Sequence, residues 1–306
     1  MSILSGHVED YLGLRRALGY KLERAGLLLP QLLDYLEAAG SSTLTSDLAI
    51  SWAQLPVHAS PNHWAARLAV VRGFARYLQT IDPATEVPPA GVFPTRRHRP
   101  APFLWSQADI LTLMTEARAL SSPLRAASYE ALFGLLAVSG MRIGEAVGLD
   151  REDVDFQTGV ITIRRAKLDR TRLLPLHETT TAALVVYAAE RDRLSPLPGS
   201  SAFFVSSTGT RLDRSAVAKT LRGITTNMGL REGSKGPTAH QLRHSFAVRT
   251  LIDWQTSGIS VDEHISTLST FLGHISPADT YWYLSASPEL MAMAAERLNV
   301  RSGDQK

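Results

Sequence analysis

Apolar residues recur at helical spacing over the first quarter of the chain. Leu12, Leu14 and Leu18 form one run, and Leu27, Leu29, Leu32, Leu33, Tyr35 and Leu36 form a second. "SSTLTSDLAISWA" reads as hydroxyl-rich turn residues followed by a short apolar helix. "NHWAARLAVVRGFARYLQT" sets Trp64, Leu68, Val71, Phe74 and Leu78 on one face and Arg67, Arg72 and Arg76 on another. Residues 7–80 therefore read as an all-helical segment with a basic side. The pattern stops at "IDPATEVPPAGVFPTRRHRPAPF", where prolines, arginines and a histidine follow one another without periodicity, as in an interdomain linker.

From Ser106, a plausible N-cap, the helical period returns. "RAASYEALFGLLAVSG" is a strongly apolar helix that stops at Gly140, and "MRIGEAVGL" reads as a second, short one. "GVITIRRA" and "TRLLPLH" are short β runs separated by "KLDR", the pattern of a hairpin with a basic turn. Helices are expected at about 178–193, 213–228, 238–254, 260–272 and 287–298. Thr238 with Gln241 and Ser260 with Glu263 fit capping boxes, and Ser287-Pro288 fits an N-cap with Pro at the first helical position. The boundaries expected are a helical domain over 1–83, a Pro/Arg-rich linker over 84–100 and a larger, α-rich domain with a small antiparallel β-sheet over 101–306. No internal repeat and no low-complexity tract interrupts this reading.

Composition narrows the class. The 306 residues hold 44% hydrophobic and 20% charged positions, which fits two domains with real cores. No apolar run reaches the length of a membrane span, and the acids and arginines of "MSILSGHVEDYLGLRRALGY" do not fit a signal peptide. The count of zero cysteines excludes disulfides, thiol catalysis and Cys-bound zinc, so a cytoplasmic compartment and no membrane partner are expected. Net charge is +3, but "PTRRHRP" and "IRRAKLDRTR" concentrate the arginines. Each cluster alone fits a solvated surface; together they lean toward a polyanion such as nucleic acid.

Candidate chemistry lies in four places. In "TAHQLRHSFAVRT", His240 and Arg243 stand three apart, on one helical face beside a buried stripe, a placement that also fits a solvated rim. In "SGMRIGEAVGL", Arg142 follows the glycine that ends a helix, and Glu145 is one turn on, able to hold its guanidinium or to form an ordinary surface pair. A cation is unfavourable at a helix start, so something other than the helix dipole selects Arg142. Lys167 stands at the end of the first β run, either a solubility feature or a mobile cation. In "FLGHISPADTYWYLSASPEL", Tyr281 and Tyr283 each fit either packing or nucleophilic attack.

Taken together and in order, "SGMRIGEAVGL", the lysine before "LDRTRLLPL", "HQLRHSFA", "FLGH" and a tyrosine nine residues after that histidine resemble the signature of the tyrosine recombinases. That family holds phage integrases, Xer-type recombinases and transposon-encoded strand-exchange enzymes. The resemblance spans residues 101–300, and the N-terminal segment resembles the family's core-binding, SAM-like domain. "TYWYLSASPEL" is more similar to transposon-associated members. The resemblance implies the tyrosine recombinase fold and a metal- and ATP-independent enzyme that cuts and rejoins DNA through a 3′-phosphotyrosyl link. No cofactor is expected.

The nine-residue spacing from His274 makes Tyr283 the implied nucleophile, with Tyr281 and Trp282 packed around it. Arg142 and Arg243 would clamp the phosphate oxygens, His240 take the phenol proton, Lys167 protonate the leaving 5′ oxygen, and His274 hydrogen-bond the phosphate. Glu145 would orient Arg142. The implied partners are double-stranded recombination sites and three further copies of the chain, in a tetramer. "PELMAMAAERLNV" carries Leu290, Met291, Ala294, Ala295 and Leu298 on an apolar face that fits docking on a neighbour or on its own domain. The stretch between Arg243 and His274, with "IDWQTSGISVDE", is longer than in many members and is expected as an extended loop.

Three other classes compete. A catalytically silent DNA-binding regulator on the same scaffold would be favoured by loss of Tyr283 or an arginine, and neither is lost. A topoisomerase-like nicking and closing enzyme would share the chemistry without strand exchange. A metal hydrolase is suggested by His240, His244, His264 and His274, but position 241 is Gln where a protease-type zinc motif needs Glu.

Overall fold

The computed structural model describes residues 3–95, 102–164, 171–195, 199–233, 235–274, 276, 278–285 and 290–292. The chain divides into two compact units, Met1–Arg99 and Pro100–Lys306. No helix among the described residues is long and apolar enough to cross a membrane.

The first unit is four helices: α1 (Ile3–Ala17), α2 (Glu23–Ala38), α3 (Ser46–Gln54) and α4 (Pro61–Leu78). Thr45 and Ser60 cap α3 and α4 with their hydroxyls, as β-region N-caps do. Leu29, Leu32 and Leu36 of α2 and Leu68, Val71, Phe74 and Leu78 of α4 are buried in one core, on the faces that the apolar spacing predicts. Of the basic side expected on α4, Arg76 is exposed, but Arg67 and Arg72 are not free. Arg67 is buried, lies 3.8 Å from the Trp52 ring centroid and donates to the Trp52 carbonyl. Arg72 donates to the carbonyls of Pro88 and Pro89. A guanidinium that stacks on an indole and caps carbonyls can enter a core that a lysine could not. Part of the stretch read as a linker also packs on this unit, through buried Phe93 and the Glu86 carboxylate on the Ser46 amide.

The second unit is built around α6 (Pro123–Ser139), with α5 (Gln107–Arg118), α8 (Glu178–Leu194) and α10 (Ala239–Thr256) packed against it. Leu132, Phe133, Leu135 and Leu136 are buried because α6 is apolar nearly all round. Ser106 and Asp109 form a capping box on α5, and Thr238 and Gln241 form one on α10. α7 (Ile143–Val147) is a single turn, and α9 (Arg214–Asn227) starts at Asp213, whose carboxylate accepts from two backbone amides.

A three-stranded antiparallel sheet flanks this core: β1 (Val154–Asp155), β2 (Val160–Ile163) and β3 (Arg172–Pro175). β2 and β3 pair from Val160↔Pro175 to Ile163↔Arg172, and Ile161, Ile163 and Leu174 face inward with the two-residue period of a strand. Lys167 and the hairpin turn lie outside the described residues.

α10 and α11 (Val261–Leu272) hold a smaller core with Tyr283 and Leu290. The extended loop expected between Arg243 and His274 is not there. α10 continues to Thr256 and only Ser257–Ser260 separate it from α11, because Ile252 and Trp254 find apolar partners in this small core. The capping box expected of Ser260 and Glu263 does not form; the Ser260 carbonyl meets the His264 ring nitrogen instead. After α11 the chain makes a short helix, α12 (Ala278–Tyr281), and a 3-10 turn at Trp282–Ser285. The helix expected at 287–298 falls almost wholly outside the described residues, with Ser287-Pro288, Ala294, Ala295 and Leu298; Leu290 is buried and Met291 is 55% exposed.

Gly140 closes α6 with φ 58°, and a Cβ there would lie 2.6 Å from Phe246 and 2.9 Å from Leu272. Gly140→Ala combines a left-handed backbone penalty with overpacking, and we expect a loss of roughly 2–4 kcal/mol. Urea unfolding of the variant against wild type measures it, and an unchanged midpoint would refute this account of the turn.

Candidate active site

Two helices end at the same place. α6 stops at Gly140 and α11 at Gly273, both glycines in the left-handed region, at φ 58° and 67°. Gly273 N–H donates to Thr270 O and His274 N–H to Ser269 O, the paired bonds of a Schellman end. Carbonyls at such ends carry the negative pole of the helix. Arg243, on α10, reaches both ends: Nη1 donates to Gly140 O and Nη2 to Leu272 O, each at 2.7 Å. Arg142, which leads into α7, donates from Nη2 to Gly273 O at 2.9 Å. The sequence-predicted pair of arginines therefore converges on one spot, although a hundred residues of chain separate them.

Arg243 is 1% exposed, so its placement on the helical rim gives way to full burial. Burial and then the neighbouring Arg142 charge draw its pKa down to about 10, so it is still a cation at neutral pH. Glu145 offsets this charge. Its Oε1 accepts from Arg142 Nη1 at 2.8 Å and its Oε2 from the Arg142 amide at 3.0 Å. Burial works against the carboxylate, but bonds and charge from Arg172 and then from Arg142 hold it at about 2. Arg172 was not among the residues singled out from sequence. Its fork meets both Glu145 oxygens, at 2.9 and 2.8 Å. Nothing in "TRLLPLH" signals that contact, because it joins β3 to α7 across the fold.

The two tyrosines separate cleanly. Tyr281 is 46% exposed and Tyr283 is 2% exposed. The Tyr283 ring stacks on His274 with centroids 6.1 Å apart and meets His244 edge-on at 5.4 Å. Trp282 packs on both His244 and Tyr283, as expected, whereas Tyr281 is 46% exposed. Burial raises the Tyr283 pKa above the ordinary phenol value, while the charge and hydrogen bond of Arg243 work the other way. The phenol is protonated at neutral pH and needs a base.

Two imidazoles pack against its ring, and a third, His240, packs on one of those two. His240 stands on the first turn of α10, exposed, its ring 4.5 Å from that of His244. Partial burial and then Arg243 and Arg142 keep its pKa below the imidazole norm, so it is a neutral acceptor. His244, weighed from sequence as a metal ligand, wedges between His240, Trp282 and Tyr283. His274 Nδ1 and the Thr280 hydroxyl share a hydrogen bond at 2.7 Å, and Thr280 is fully buried. Thr280 thus aims the His274 ring, a role that the spacing of "LGHISPADT" does not reveal. Burial and then Arg243 and Arg142 lower the His274 pKa to about 4.

A site with clustered cations, a buried phenol and neutral imidazoles suits attack on a phosphodiester, whose charge grows on the way to the transition state. It also sets a pH response. His274 has a folded-state pKa of about 4 against 6.5 unfolded, so its contribution is complete above 6.5 and is lost as pH falls toward 4. His240 adds in the same direction. We expect unfolding free energy to drop by about 2 kcal/mol over this window in wild type and by less in His274→Asn. Equal drops in both proteins, read by urea unfolding at several pH values, would refute the assignment.

Comparison with known proteins places the chain. The family model described as "Phage integrase family" matches residues 105–289. The chain is 41% identical to the putative integrase/recombinase y4rB of Sinorhizobium fredii (strain NBRC 101917 / NGR234), over the whole of both chains. It is 28% identical to the tyrosine recombinase XerC of Azotobacter vinelandii (strain DJ / ATCC BAA-1303), over 79% of this chain and 75% of that one. Among solved structures, the Tn1549 transposon integrase in complex with a circular intermediate DNA superposes with a TM-score of 0.63 at 16% identity, covering 95% of this chain and 99% of that chain. The XerA recombinase gives 0.52 at 22% identity, covering 96% and 98%. The fold is that of the tyrosine recombinases, and the chain belongs to the phage integrase family.

Proposed function

We propose that this site-specific recombinase cuts and rejoins DNA through a covalent link at Tyr283, without metal or ATP, for integration, excision or resolution of a mobile element. The observation that carries the reading is the buried Tyr283 facing Arg243, beside Arg142, at the joined ends of α6 and α11. Arg142 and Arg243 bind the non-bridging oxygens of the scissile phosphate; paired guanidinium donors suit two oxygens in a plane, and their charge persists at any relevant pH. The Arg142 charge lowers the proton affinity of Arg243, so the arriving phosphate relieves repulsion as well as binding.

His240 takes the proton from the Tyr283 hydroxyl as its oxygen attacks phosphorus. The bond to the 5′ oxygen breaks, and Lys167, in the segment between β2 and β3, gives that oxygen a proton. With Thr280 donating to Nδ1, the neutral His274 ring carries its hydrogen on Nε2 and donates it to the phosphate. Glu145 orients Arg142. The products are a 3′-phosphotyrosyl link and a free 5′ hydroxyl, and the reverse reaction with a different 5′ hydroxyl exchanges strands. The link keeps the energy of the broken diester, so no nucleotide is consumed.

Duplex DNA is the substrate, held by phosphate contacts that set register and by base contacts that choose the site. The first unit acts as the core-binding domain. The assembly is a tetramer on two sites; a lambda integrase tetramer bound to a Holliday junction shares the fold at a TM-score of 0.61. A relative called a transposon integrase and the integrase/recombinase of Sinorhizobium fredii support the mobile-element setting.

The test uses nicked suicide duplexes drawn from DNA flanking the gene, with the adduct read on denaturing gels. Wild type and Tyr281→Phe should trap DNA covalently, with or without EDTA and with no nucleotide added. Tyr283→Phe should trap none. An adduct that survives in Tyr283→Phe removes the proposed nucleophile. Tight binding by folded wild type with no adduct on any fragment favours a silent regulator instead.

A further inference from the structure

Arg172 is a cation at the rim of this site that the mechanism above leaves without a task. It opens β3, paired in register with Ile163, and follows the segment between β2 and β3 that carries Lys167. Its side chain is 13% exposed and its guanidinium lies flat against two things at once. One is the Glu145 carboxylate, met end to end by both Nη atoms at 2.9 and 2.8 Å. The other is the Gly273 turn: a Cβ at Gly273 would lie 2.7 Å from Arg172 Nη1 and 2.9 Å from its Cζ. Gly273 is also the residue whose carbonyl holds Arg142, and the next residue is His274.

Glu145 is thus shared. Oε1 takes both Arg142 Nη1 and Arg172 Nη1, while Oε2 takes the Arg142 amide and Arg172 Nη2. Two guanidinium groups and one carboxylate leave one net positive charge. Without Arg172, the same carboxylate, 9% exposed, would have Arg142 as its sole side-chain cation among these groups. The pair would be neutral, and Arg142 would turn toward Glu145 rather than toward a phosphate, since a buried carboxylate takes the nearest cation.

We propose that Arg172 is a positioning residue for strand cleavage: it holds Glu145 and the Gly273 turn so that Arg142 keeps a free charge and a fixed aim at the scissile phosphate. The inference rests on the recombinase reading above. It assigns Arg172 no contact with DNA and no proton to carry.

The test is single-turnover adduct formation on a nicked suicide duplex whose scissile group is either the ordinary phosphodiester or a methylphosphonate. The methylphosphonate lacks the negative charge and asks less of a guanidinium. Loss of a residue that orients a functional one typically costs 10–100-fold, so Arg172→Gln should slow phosphodiester cleavage by roughly that factor. It should slow methylphosphonate cleavage several-fold less. Replacing Glu145 as well, in Arg172→Gln/Glu145→Gln, removes the competing charge and should recover part of the loss. Arg172→Lys, which keeps the charge but not the fork, should fall between wild type and Arg172→Gln, and it carries the comparison if Arg172→Gln does not fold. Equal slowing of both substrates, with no gain in the double variant, would reduce Arg172 to a structural ion pair and overturn the proposal. Absence of an adduct from wild type would instead strike the recombinase reading itself.

Discussion

Two guanidinium groups stand next to each other in a largely buried place, and the second unit is arranged so that they can. Arg142 and Arg243 repel, and burial further penalises Arg243. What makes the pairing tolerable is the supply of partial negative charge from the ends of α6 and α11, whose carbonyls at Gly140, Leu272 and Gly273 accept from them. Those carbonyls are available because left-handed glycines stop both helices there. A helix end normally left to water becomes the socket of an arginine.

The remaining groups follow from that socket. One carboxylate, Glu145, balances part of the charge and leaves the rest for an anion. Burial, and then the same positive field, keep His240 and His274 neutral, a state suited to accepting a proton in one place and donating a hydrogen bond in the other. Tyr283 is seated in a separate small core formed by α10 and α11, so its hydroxyl faces Arg243 while its ring is clamped by His244 and His274. Charge, protonation state and aim are therefore one property of how α6, α10 and α11 meet, rather than separate features of six side chains.

The first unit teaches a different lesson about arginine. Helical spacing put Arg67, Arg72 and Arg76 on a common basic side, which invited a reading of free surface charge. Instead Arg67 stacks on Trp52 within the core and Arg72 ties down Pro88 and Pro89. Periodicity tells which face a residue occupies, and says nothing of what a long, planar cation will find when it folds back over that face.

What the sequence by itself determined is the local part. Apolar period placed α4, α6, α8, α9 and α11 within a residue or two, glycine placed the stop of α6, and Ser106 and Thr238 placed starts of helices. The resemblance to the tyrosine recombinases, through the nine-residue step from His274, singled out Tyr283 over Tyr281, and the structure buries Tyr283 while Tyr281 is 46% exposed. Legible too was the short Arg142–Glu145 contact, since it spans one turn. Tertiary structure alone decided the rest: that Arg172 completes Glu145, that Thr280 aims His274, and that His244 is an aromatic wedge. The physical reason is range. Caps, turns and amphipathic faces are set by neighbours within a few residues, whereas a fork from a strand to a helix across the fold exists only after distant helix ends have met.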